Sequence, residues 1–106
     1  MSVELDPDCE LPPRLLSLFL RTTPAMMTEL VAALGRGESE TARAMAHKLK
    51  GRLYAAGASA LAEELESLRA LLSNGSAADC QTLLHKIEAD FRGVVAELNR
   101  RSEERG

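Results

Sequence analysis

Residues 46 to 51 read AHKLKG and bring a histidine, two lysines and a glycine close together in the chain. On a helix that turns about 100° per residue, Tyr54 lies about 20° round from His47, Gly51 and Arg43 about 40°, and Ala44 and Lys50 about 60°. They share one face. A neutral imidazole is a nucleophile, and an ordinary imidazole pKa near about 6.5 leaves such a ring mostly uncharged at neutral pH. The ammonium of Lys50 would favour a dianionic phosphoryl group arriving at the ring, and Lys48 and Arg43 extend the positive patch. A reversible N–P bond at His47 is the chemistry this set of residues suggests. Gly51 costs roughly 1 kcal/mol relative to alanine inside a helix, and the side chain it lacks would leave the imidazole uncovered for a bulky partner. No Ser/His/Asp arrangement, glycine-rich phosphate loop or pair of acid/base carboxylates accompanies His47. The chain therefore has no evident means of binding ATP or of hydrolysing anything, and the rest of the chemistry must come from a partner.

The helix that positions these residues is expected from about Ser39 to Ala56, stopping at Gly57. Its opposite face carries Met45, Leu49 and Ala56, with Ala42 and Leu53 on the margin. A core would take that stripe, which turns His47 out to solvent. Before it, Pro12 and Pro13 suit a helix start, with Leu15, Leu16, Phe19 and Leu20 at helical spacing. Thr23-Pro24 resembles a second N-cap, after which Met26, Met27, Leu30, Val31 and Leu34 resume the stripe up to Gly35-Arg36-Gly37. One helix kinked near Thr23 and two consecutive helices both fit.

A further helix is expected from about Ser59 to Leu72, closing at Ser73-Asn74-Gly75. The last opens at Ser76-Ala-Ala-Asp79, a capping-box-like pattern, and continues through Leu83, Leu84, Ile87, Phe91, Val94, Val95 and Leu98. Amphipathic helices joined by short loops favour antiparallel neighbours. The expected fold is therefore all-α: an up-and-down antiparallel four-helix bundle over residues 11–101, between a polar lead-in (1–10) and a frayed tail (102–106).

Bulk composition narrows the function. The chain of 106 residues is 45% hydrophobic but only 3% aromatic, and its formal charge is -3. Without excess cations or stacking rings, nucleic acid is a poor partner. No apolar run reaches the roughly 18 residues of a membrane span, and the acidic N-terminus lacks a signal-like apolar segment, so a cytoplasmic location is expected. Cys9 and Cys80 are read as reduced thiols. Cys80 and His85 are five residues apart, off a common face, so no metal site or bound cofactor is expected. His85, beside Lys86 but without a glycine or second lysine on its face, reads as a plain surface histidine.

Ala46, His47, Leu49, Lys50 and Gly51, followed by Gly57-Ala58, resemble the signature of histidine-containing phosphotransfer (HPt) domains. FLRTTPAMMTELVAAL resembles the first helical segment of that family and LAEELESL the helix after the Gly-Ala pair, so the likeness covers residues 11–72. It implies a four-helix bundle whose exposed histidine accepts a phosphoryl group from a receiver-domain aspartate and passes it to another receiver. His47 would be the phosphoacceptor, with Lys50 as electrostatic support and Gly51 as the space-maker. The implied partners are a response-regulator receiver domain and a hybrid histidine kinase, with Mg²⁺ on the receiver and this chain a monomer. Docking would use the first two helices around His47, through Arg43, Ala44, Lys48 and Tyr54, although a tyrosine on a bundle helix more often plugs an inter-helical gap.

Two positions depart from the family pattern. Arg52 stands where a small residue is usual and falls near the core-facing side, and Ala56 replaces a larger aliphatic residue. Arg52 gives some footing to an alternative, a docking module that binds a receiver or kinase without accepting phosphate. A self-associating structural bundle is a third reading.

Overall fold

The computed structural model describes Leu5 and residues 11–105, for Arg105 the backbone alone. Cys9 and the rest of the lead-in apart from Leu5 lie outside the described residues. Four helices follow one another: α1 (Pro13–Gly35), α2 (Ser39–Ala55), α3 (Ser59–Asn74) and α4 (Ala77–Arg105). Each packs on its neighbours in sequence, and α4 closes the ring against α1. The fold is the up-and-down four-helix bundle that the apolar periods predict.

Helix ends explain the sharp turns. Glu38 N donates to Ala33 O and Gly37 N to Leu34 O; Ala58 N donates to Leu53 O and Gly57 N to Tyr54 O. Both sets are Schellman caps, which place the residue after the helix in the left-handed region. Gly37 and Gly57 occupy it at φ 73° and 82°. Ala58 follows Gly57 into full burial, so the Gly-Ala pair both stops α2 and seats the start of α3. At α4, Ser76 Oγ accepts from Asp79 N at 3.1 Å, as the capping pattern suggests.

α1 is one continuous helix that contains Pro24. Of the two arrangements open at Thr23-Pro24, the single helix forms and the second N-cap does not. Thr23 is fully buried within the helix, and its Oγ1 is without a hydrogen-bond partner. The core draws Leu16, Phe19, Met27, Leu30 and Ala33 from α1 and Leu61, Leu65 and Leu68 from α3. α4 adds Cys80, Leu84, Ile87, Phe91, Val94 and Leu98. Its helix continues past this stripe, with Arg100 paired to Glu97 and Glu104 and Arg101 to Glu97.

On the α3–α4 seam, Lys86 Nζ lies 2.9 Å from both Glu64 and Asp90. Burial, followed by the neighbouring Asp90, raises the Glu64 pKa even though Lys86 opposes the shift. Asp90 is desolvated as well, yet hydrogen bonds from Lys86 and Glu64 keep its pKa below the ordinary range. Lys86→Met would remove the countercharge from both carboxyls and raise both folded-state values. A carboxyl whose folded pKa is raised disfavours the fold once it ionises, so the variant is expected to melt below wild type at pH 7. The gap should narrow as pH falls through those raised values and close only below the wild-type ones, as thermal melts between pH 7 and about 3 would show.

Candidate functional site

His47 stands exposed on α2, as its position opposite the apolar stripe predicts. The core of that helix is rotated from the expected one. Ala42, Ala46, Leu49, Leu53 and Ala56 are buried, whereas Met45 is half-buried. Ala46, Leu53, Ala42 and Leu49 lie about 100° to 160° round from His47 on the Lys50 side, and Arg52 lies about 140° round the other way. Arg52 therefore escapes the core. Its guanidinium is exposed and Nη1 donates to Thr22 Oγ1 on α1 at 2.7 Å. Arg52 thus starts near the core-facing side, as its position predicts, but reaches out to bond across to α1.

The same rotation carries Lys50 to the margin between solvent and α3. It is 23% exposed, and Nζ donates to Glu66 Oε2 at 2.9 Å. The cation is held rather than free. Glu66 also accepts from Arg69 Nη1 at 2.8 and 3.2 Å, through its two oxygens. Hydrogen bonds from Lys50 and then Arg69 keep the Glu66 carboxyl below the usual carboxylate range.

Arg69 reaches the site from α3. With Glu40, Arg43, Ala44 and His47 it lines an open depression of about 390 Å³. Its Nε is buried and has no hydrogen-bond partner. Sequence reasoning missed Glu66 and Arg69. Both lie beside or within the LAEELESL segment, but nothing local to α3 says which of its turns faces His47.

Gly51 is exposed, and a Cβ built on it meets no atom within 4 Å. The fold does not demand glycine there. Arg43, Ala44 and Lys48 are exposed around His47, and Tyr54 is 46% exposed, so it does not plug a gap between helices. Leu15, which the sequence places in the apolar stripe of α1, and Leu18 are 48% and 43% exposed. Leu18 is one turn before Thr22 and Leu15 nearly two, so they extend along the α1 face that meets Arg52. His85 is exposed on α4, and Cys80 is a buried free thiol.

Among the described residues, no group of three or more His, Cys, Asp or Glu side chains could hold a metal ion. No described helix is long and apolar enough to cross a membrane. The arrangement is a solvent-facing nucleophile flanked by cations on two helices, beside an unfilled surface position.

Comparison with curated proteins and with solved structures gave no significant match. A family model described as "Hpt domain" matches residues 14–100, which include all the residues described around His47. The chain belongs to the Hpt domain family, and its role is phosphotransfer in two-component signalling.

Proposed function

We propose that His47 is the phosphoacceptor of a phosphorelay intermediate, taking a phosphoryl group from a receiver-domain aspartate and delivering it to a second receiver. The observation that carries this reading is the exposed imidazole, with Lys50 one turn on and open space above Gly51. A lone pair on a ring nitrogen of His47 attacks phosphorus. The N–P bond forms while the P–O bond to the aspartyl group breaks, and that electron pair stays on the carboxylate. Delivery is the reverse exchange with a second aspartate. The sequence carries no glycine-rich phosphate loop, so on this reading the chain is a carrier that relies on its partners for the high-energy donor. Mg²⁺ would belong to the receiver, where it neutralises phosphoryl oxygens.

The face offered to receivers, and to the receiver part of a hybrid histidine kinase, comprises Arg43, Ala44, Lys48 and Tyr54 on α2 with Leu15 and Leu18 on α1. Scattered cations around a small apolar surface suit a brief encounter between a cytoplasmic monomer and changing partners. The test is incubation with a phosphorylated receiver domain. The label on this chain should be acid-labile and alkali-stable, as an N–P bond is, and should pass to an unphosphorylated receiver added later. Absence of transfer in both directions, with every receiver from the same genome tried, would defeat the reading.

Lys50 provides a charge test. In Lys50→Glu the new carboxylate would face Glu66 and repel the incoming phosphoryl group, with the bundle still folded because the position lies at its margin. Transfer is expected to slow roughly tenfold or more, about the effect of losing one charge-assisted contact. Rates equal to wild type in a rapid-quench assay would make Lys50 a merely structural partner of Glu66.

A further inference from the structure

Three charged side chains from two helices meet beside His47, and their pairing is unbalanced. Glu66 alone holds both Lys50 and Arg69. Both cations are, with Arg43, placed to receive an anion at the imidazole: Lys50 one turn along α2, and Arg69 in the wall of the depression that His47 and Arg43 line. Arg69 Nε is a buried donor without an acceptor. Glu66 therefore answers only part of the donor capacity around it, since a guanidinium offers five N–H groups and an ammonium three.

We propose that Glu66 is a built-in competitor for the phosphoryl group: in the resting chain its carboxylate occupies Lys50 and Arg69, and on phosphorylation of His47 these cations exchange it for phosphoryl oxygens. The proposal rests on His47 as the phosphoacceptor. A dianionic phosphoryl group has more charge and more acceptor oxygens than a carboxylate, so it wins the cations once it is covalently placed. It wins by a reduced margin, because Glu66 must be released. A carrier has to give its cargo up again. Glu66 thus keeps phosphohistidine from becoming too stable, and Arg69 is a positioning residue whose guanidinium turns from Glu66 to the phosphoryl group. The charged groups facing this exchange are Glu40 and Arg43 on α2, and Glu66 and Arg69 on α3, together with Lys50.

The experiment uses phosphoramidate, a small donor that needs no partner, on wild type, Glu66→Gln, Arg69→Gln and Glu40→Gln, each checked for folding by circular dichroism. Glu40→Gln removes an equal charge from the wall of the depression beside His47 without touching either ion pair. In Glu66→Gln the cations are unopposed, so labelling should be roughly three- to tenfold faster, as for one freed charge-assisted contact. The second ionisation of the phosphoryl group, followed by ³¹P NMR, should fall below its wild-type value, because cations favour the dianion. Arg69→Gln should label more slowly and move that ionisation upward. Wild-type rates and titration in Glu66→Gln, or equal shifts in Glu66→Gln and Glu40→Gln, would overturn the proposal. If wild type takes no label, or takes it equally well after His47→Gln, the phosphoacceptor reading itself fails and this proposal with it.

Discussion

Glutamine in place of His47 is expected to abolish phosphorylation by a receiver domain, reducing the label at least about a hundredfold, to background, because the nucleophile itself is lost. Glutamine keeps polarity and much of the volume but has no ring nitrogen lone pair to attack phosphorus. The position is exposed, and surface substitutions away from special features change stability by only about 0.5 kcal/mol. The variant should therefore melt close to wild type, which separates lost chemistry from lost fold. His85 offers an internal control: it is also exposed on a helix and followed by a lysine, yet it lies on α4 and does not line the depression beside His47. His85→Gln should keep full label. A docking module that never accepts phosphate makes the opposite forecast, since His47→Gln would then leave both partner affinity and signalling output as they were. Labelling of the purified variants, read beside output in cells, decides between the two.

The four helices were readable because their signals are local. Apolar residues recur every three to four positions, and Gly37 and Gly57 stand where Schellman caps require a left-handed backbone. The outward direction of His47 followed from the same pattern. What failed was finer than a helix face. Ala46 is fully buried, but an alanine adds little to an apolar stripe, so its burial gave no signal and the core face of α2 was placed partly on the wrong side. Thr23-Pro24 carries the local chemistry of an N-cap, yet packing of Thr23 into the bundle keeps α1 continuous. Glu66 and Arg69 were invisible for another reason: their pairing with Lys50 depends on the register between α2 and α3, which no local pattern encodes. The outward face of His47 was thus legible from the local pattern, whereas the pairing of Lys50 and Arg69 with Glu66 required the packed bundle.

Gly51 is the position where fold and function should pull apart most clearly. It is exposed in mid-helix, and an added Cβ would meet nothing within 4 Å. Replacing such a glycine normally stabilises a helix by about 0.4–1 kcal/mol, through propensity and a less flexible unfolded chain. Gly51→Gln is accordingly expected to melt higher than wild type, by a few degrees at about 4–8 °C per kcal/mol for a domain of this size. Labelling by phosphoramidate should stay within about twofold, since a donor so small passes the new side chain and no charge has changed. Transfer from a phosphorylated receiver should fall by about tenfold or more, because a backbone loop of the partner would meet a long side chain about 40° round from His47, and every 1.4 kcal/mol of clash is a factor of ten. On this reading glycine costs the free chain stability and is useful only when another protein approaches. The informative quantity is the ratio of the two rates: a variant that loses receiver transfer while keeping small-donor labelling locates the constraint in the complex. If both rates hold while the melting point rises, the bare surface beside His47 serves no partner.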